Sequence, residues 1–257
     1  MNKNRIEQVF VGKQALICFI TGGDPDIETT EKLIVAMAEA GADMIEIGIP
    51  FSDPVAEGLV IQAANARALE NGCTVDELFA MVKRVRGKVA IPLLFMTYMN
   101  PVFVYGKERF MKKCQECGID GIIVPDLPFE EKEELADVCK QYEITPISMI
   151  APTSEDRIEK IAKEAQGFLY CVSSLGVTGL RSEIKTNVKG MIEKVRRVSK
   201  IPCAVGFGIS TPEQAKEMLA VTDGVIVGSA IVKVVAEYGK ESVEKVEKLL
   251  REIKRVF

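Results

Sequence analysis

Eight short apolar runs recur along the chain with amphipathic stretches between them: ALICFITGG, ADMIEIGIP, IPLLFMTY, GIIVPD, ITPISMIAP, FLYCVSS, IPCAVGFG and GVIVGSAIV. Each is rich in Ile, Val and Leu with little polar alternation, as a strand covered on both faces must be. Because helical periodicity follows each run, the strands must pair in parallel through helical crossovers. The first helix reads DIETTEKLIVAMAEAG, with Asp26 as N-cap, Leu33 and Met37 on its apolar face and Gly41 at its end. The last, ESVEKVEKLLREIKRVF, puts Val243, Val246, Leu250, Ile253 and Phe257 on one stripe. Eight βα units in 257 residues, with no linker or shift in composition, predict one domain spanning 1–257. The expected fold is α/β, a closed (β/α)8 barrel of the TIM type with extra short helices, in preference to an open doubly wound sheet.

The formal net charge is −4, from 33 Lys and Arg against 37 Asp and Glu, and no basic block is present. A nucleic-acid or membrane partner is therefore not expected. The opening MNKNRIEQVF has mixed charge and no apolar core, and nowhere do eighteen apolar residues run together, so a cytoplasmic location is expected. Seven cysteines, an odd number, are scattered along the chain and argue against a disulfide framework. Cys114 and Cys117 form one CxxC, but with no second pair and no histidine a four-ligand zinc site is not expected. Packing on one helix face is the simpler role.

In a barrel of this kind the chemistry lies at the carboxyl ends of the strands. Those ends carry Phe19 and Thr21, Glu46, Tyr98 and Asn100, Asp126, Tyr170 and Ser173, then Gly206-Phe207-Gly208, and finally Gly228-Ser229. Two long connections, 51–58 and 175–186, are candidate lids. The glycines after the seventh and eighth runs, with Thr211-Pro212-Glu213-Gln214 as a capped helix start, suit a phosphate held by backbone N–H groups. Glu46, between Ile45 and Ile47, must face one of two buried surfaces unless it reaches the open mouth. It is either half of a structural ion pair or a general acid or base with a raised pKa; no Lys or Arg ends a neighbouring strand, which favours the second. Asp53 and Glu57 lie on the following loop, where solvated acids or helix caps are the ordinary alternatives. A Schiff-base lysine is missing from the strand ends, and histidine-rich metal chemistry has no ligands. Acid–base catalysis by carboxylates on a phosphate-anchored substrate remains.

The segments FITGGDPD, IEIGIPFSDPVAEG, IQAANARAL, MTYMNPVF, VPDLP, APTS, SSLGVTG, VGFGISTPEQA and GVIVGSAIV resemble the tryptophan synthase alpha subunit family over nearly the whole chain. The resemblance implies retro-aldol cleavage of indole-3-glycerol phosphate to indole and glyceraldehyde 3-phosphate, in tryptophan biosynthesis. It implies no cofactor in this chain, and a β-subunit partner carrying pyridoxal phosphate in an α2β2 heterotetramer. By the same resemblance Glu46 is the catalytic proton donor and Glu57 the carboxylate that holds the indole N–H. Thr178 and Gly179 would belong to a mobile loop. Gly179, Gly208, Gly228 and Ser229 would contact phosphate, and Phe19, Tyr98, Tyr170 and Phe207 would line the indole pocket beside Thr21, with a core role for Tyr170 as the alternative. The chain departs from the family at Glu57, where aspartate is usual, and at Leu59, where proline often follows the glycine. A free-standing indole-releasing lyase and a non-catalytic partner-activating barrel stay open as alternatives.

Overall fold

The structure is a computed structural model that describes residues 5–154, 156–172, 181–206 and 208–257. Seven of the eight runs form one strand each: β1 (Ala15–Thr21), β2 (Met44–Gly48), β3 (Leu93–Met96), β4 (Gly121–Ile123), β7 (Leu169–Val172), β8 (Cys203–Gly206) and β9 (Gly224–Val227). The fifth run breaks into β5 (Thr145–Pro146) and β6 (Ser148–Ile150). All pairings are parallel, in the order β5-β4-β3-β2-β1-β9-β8-β7-β6. Only Ile147 separates the two ends of that order, so the ring closes through a single segment of chain. Pro146 cannot donate a ladder hydrogen bond; Ile147 N–H instead reaches Ile122 O at 2.9 Å, and pairing passes from β4 to β7 across this joint.

The helices wrap the outside: α1 (Arg5–Val9), α2 (Ile27–Glu39), α3 (Leu59–Glu70), α4 (Val75–Arg86), α5 (Met99–Tyr105), α6 (Lys107–Cys117), α7 (Glu133–Gln141), α8 (Ile158–Glu164), α9 (Arg181–Val198), α10 (Pro212–Leu219), α11 (Ser229–Tyr238) and α12 (Ser242–Lys254). Their starts follow from local chemistry. Asp26 accepts the Thr29 N–H at 2.7 Å to cap α2, while Thr74 with Glu77 and Thr211 with Gln214 close reciprocal capping boxes on α4 and α10. Cys114 and Cys117 are buried free thiols on α6, as packing residues should be.

Two apolar layers result. One lies between strands and helices, where Leu33 and Met37 of α2 and Val246, Leu250 and Ile253 of α12 are buried. The other fills the barrel itself with Ile17, Met44, Leu94, Ile123, Ile147, Ala204 and Ile226. Its amino-terminal end is plugged by α1, whose Ile6 and Val9 are buried in the same cluster, while Phe10 stands 5.7 Å from Phe168, ring centre to ring centre. The opposite end is left to the site.

The plugged face carries a device used three times. Asp43, Asp120 and Asp223 stand immediately before β2, β4 and β9, and each grips one residue of the neighbouring strand by both of its backbone groups. Their backbone N–H groups donate to Leu16 O (2.8 Å), Leu93 O (2.9 Å) and Cys203 O (2.9 Å). Their carboxylates accept the N–H of those same residues at 2.9, 2.9 and 2.7 Å. Cations complete each clamp: Lys13 and Lys254 at Asp43, Arg5 and Arg86 at Asp120, Arg196 at Asp223. Burial alone would raise the Asp43 carboxyl, but the Leu16 N–H and the two ammonium groups outweigh it and hold the pKa below its ordinary value.

Asp43→Ala strands the Leu16 N–H and both lysines, and should cost about 2–4 kcal/mol in urea unfolding near neutral pH. A lowered carboxylate pKa stabilises above the unfolded value of 3.8, and that contribution is lost as pH falls through the folded value. The gap between parent and variant should therefore narrow on acidification. A gap that is below 1 kcal/mol, or that does not narrow in acid, would refute the clamp.

Candidate active site

The register of the strands decides which side chains share the barrel mouth. Phe19 of β1 pairs with Glu46 of β2, and Thr21 pairs with Gly48, so all four positions face the same way, inward. Gly48 and Gly206 make room there for two rings: a Cβ on Gly48 would lie 2.7 Å from the Phe19 ring, and one on Gly206 2.4 Å from the Tyr170 hydroxyl. Phe19 continues outward into a small cluster with Ala64 of α3 and Val232 of α11.

Glu46 is 0% exposed, and neither carboxylate oxygen has a hydrogen-bond partner among the described residues. The ion-pair alternative is therefore not realised there. Burial without compensation pushes its pKa up to about 8, which favours the protonated acid at neutral pH. The Thr21 hydroxyl, two positions further along β1 from the partner of Glu46, is likewise buried and has no partner among the described residues. The Tyr170 hydroxyl is raised well above its ordinary value, by burial first and by the Glu46 charge second, which places the two groups in electrostatic reach across the barrel. Unsatisfied polar atoms on an otherwise apolar inner wall are the mark of a ligand site.

The loop after β2 brings the second acid to the same mouth. Asn65, 3% exposed on α3, donates Nδ2 to Glu57 Oε2 at 2.6 Å, and Gln62 of the same helix donates to the Glu57 carbonyl at 2.7 Å. Tyr98 accepts the Ala56 N–H at 3.2 Å, packs at a tilt against Phe51 with ring centres 5.3 Å apart, and lies near enough to Glu57 to influence its acidity. Burial raises the Glu57 pKa, while the bonds from Asn65 and Tyr98 oppose the rise. Asp53 is exposed and accepts the Ser52 hydroxyl at 2.5 Å, the behaviour of a solvated loop acid. Asp126 accepts the Met99 N–H at 2.9 Å and so serves the first turn of α5, and Asn100 is exposed on that helix. Asn65 was not singled out from the sequence; its signal was a polar residue between the buried Ala64 and Ala68 of an apolar helix face.

Beside Phe19, α11 begins at Ser229 behind Gly228, with no side-chain cap on its first amides. Gly208 holds a left-handed φ of 78°, with open space where a Cβ would sit. Phe207, Ser173, Thr178, Gly179 and the 175–180 part of the proposed second lid lie outside the described residues. Among the described residues no group of three or more His, Cys, Asp or Glu could hold a metal ion, and no helix is long and apolar enough to cross a membrane.

The family model for the tryptophan synthase alpha chain matches residues 7–256. The chain is 47% identical over 245 residues to the tryptophan synthase alpha chain of Alkaliphilus metalliredigens, covering 95% of this chain and 92% of that one. It is 48% identical over 256 residues to that of Halalkalibacterium halodurans, covering 98% and 97%. The crystal structure of tryptophan synthase subunit alpha from Legionella pneumophila superposes with a TM-score of 0.89 at 35% identity, covering 99% and 98% of the two chains. A chain of the tryptophan synthase complex from Pyrococcus furiosus gives 0.86 at 34%, covering 95% and 99%.

Between 4.5 and about 8 the folded Glu46 keeps a proton that the unfolded chain releases, so its contribution to stability is full below 4.5 and is lost as pH rises through that window. Glu46→Gln abolishes this dependence. In urea unfolding the variant should gain on the parent by at least about 2 kcal/mol between pH 5 and pH 8. A difference that stays constant over that range would show Glu46 to be ionised in the fold.

Proposed function

This chain belongs to the tryptophan synthase alpha chain family and cleaves indole-3-glycerol phosphate to indole and glyceraldehyde 3-phosphate; we propose that Glu46 and Glu57 carry the proton transfers and charge stabilisation of that cleavage. The observation that supports this most is the burial of Glu46 without a partner among the described residues, which favours a neutral acid at the barrel mouth. Glu46 gives its proton to C3 of the indole ring, and the ring nitrogen becomes cationic. That nitrogen is the electron sink, so no lysine imine is needed. The carboxylate left on Glu46 takes the proton of the hydroxyl on the carbon attached to C3. The carbon–carbon bond then breaks, its electron pair returns to the ring and neutralises the nitrogen, and an aldehyde leaves. Glu46 ends protonated, ready for the next turnover.

Glu57 accepts the indole N–H, in a hydrogen bond that strengthens as the nitrogen gains charge. Phe19, Tyr98 and Tyr170 enclose the ring, Thr21 offers its hydroxyl beside them, and the family resemblance adds Phe207 to the lining. The phosphate rests on the uncapped start of α11 at Gly228 and Ser229 and on Gly208; the family resemblance adds Thr178 and Gly179 to its contacts. The family membership implies a β-subunit partner. In our reading that partner carries pyridoxal phosphate and receives the indole, the assembly is α2β2 and the location is cytoplasmic.

Following indole release from indole-3-glycerol phosphate, with and without a β subunit, tests the assignment. Glu46→Gln should lower turnover by about 100-fold or more while substrate binding stays close to that of the parent. Parent turnover should fall as pH rises through about 8, where Glu46 loses its proton. Near-parent turnover in the variant would refute the role. Glu57→Asp withdraws the carboxylate by one methylene and should slow release about tenfold, the worth of one weakened hydrogen bond; a rate at or above the parent would show that the longer side chain is merely tolerated.

A further inference from the structure

Resting on the reading of Glu57 given above, we propose that Asn65 is a positioning residue for the reaction, holding the Glu57 carboxylate at the barrel mouth through its side-chain amide. The bond is short, 2.6 Å from Nδ2 to Oε2, and its donor end is buried, Asn65 being 3% exposed, while Glu57 is half-buried. A glutamate side chain has three rotatable bonds, and on a loop it needs an external anchor to hold one geometry. Helix α3 supplies that anchor twice, with Gln62 on the Glu57 carbonyl at 2.7 Å and Asn65 on the carboxylate. The same helix presses Ala64 against Phe19, so the wall of the pocket and the acid are fixed by one rigid element. Tyr98 holds the same loop one residue earlier, its hydroxyl oxygen accepting the Ala56 N–H at 3.2 Å. A carboxylate offers about four acceptor positions, so these bonds leave room for a ring N–H.

A role in packing and a role in holding the acid are separated by three variants in the full chain, assayed by indole release from indole-3-glycerol phosphate. Asn65→Leu keeps the size and removes the donor; it should lower kcat about tenfold with KM within about twofold of the parent. Asn65→Asp keeps the shape but sets a second acid against Glu57, and should lose at least as much kcat as the leucine variant. In a Glu57→Ala background, Asn65→Leu should change kcat by less than about twofold, because the group it acts through is gone. Thermal unfolding establishes that each variant is folded at the assay temperature, and Asn65→Ala, which also lacks the donor, replaces Asn65→Leu in the same comparisons if the leucine variant is not. The proposal is overturned if Asn65→Leu turns over like the parent, if its cost adds in full to that of Glu57→Ala, or if Asn65→Asp stays closer to the parent than Asn65→Leu. Parent turnover in Asn65→Leu alongside a slowed Glu57→Ala would refute Asn65 alone, whereas an unchanged Glu57→Ala would remove the role of Glu57 and that of Asn65 together.

Discussion

A carboxyl group that is buried without a partner must either keep its proton or destabilise the fold, and Glu46 sits under that constraint. The inner wall of the barrel supplies no cation and no hydrogen-bond donor to it among the described residues, so desolvation acts unopposed and the proton stays. The apolar neighbours of Glu46 on β2 and its register partner Phe19 are thus part of the chemistry, because they set the acidity. A polar wall would give an ionised carboxylate with no proton to donate. Glu57 faces the complementary demand: it must remain able to accept, and although burial still raises its pKa, Asn65 and Tyr98 hold back part of that rise, as nothing does for Glu46. Two carboxyl groups of similar intrinsic acidity are driven to different tasks by what surrounds them.

The cost of such a mouth is offset at the other end of the barrel. There Asp43, Asp120 and Asp223 each fasten one residue of the next strand by N–H and C=O together, and each is neutralised by lysine or arginine. The α1 plug adds apolar burial beneath them. Stability concentrates at the amino-terminal face and unsatisfied groups at the carboxyl-terminal face, so the reactive end is free to hold polar atoms in reserve for a ligand.

How much of this could be read beforehand depended on whether the physics is local. The strands were legible because doubly buried parallel strands need continuous apolar runs, and the caps at Asp26 and Thr211 were legible because capping is settled within four residues. Glu46 stood out as a charge inside such a run. The break at Pro146 was present in the letters, but its consequence, a strand that changes partners, depends on where β4 and β7 lie. Ile6, Val9 and Phe10 form too short a stretch for periodicity to identify, and only the barrel floor gives them a purpose. The aspartate before three of the runs was a repeat in plain view, yet its grip is exerted across strands. Asp126 sits at a strand end as expected and serves a helix start instead, since its nearest donor is Met99 N–H. Asn65 needed the path of the loop to bring Glu57 back over α3.

Direct observation of the Glu46 carboxyl tests the central claim. Carbon-13 NMR of glutamate labelled at the side-chain carboxyl, with the Glu46 resonance assigned by its loss in Glu46→Gln, reports the protonation state without relying on turnover. The resonance should remain that of a neutral acid at pH 7 and titrate near 8. Titration near the ordinary value of 4.5 would show that the barrel mouth holds an anion, and would contradict the assignment of Glu46 as the proton donor.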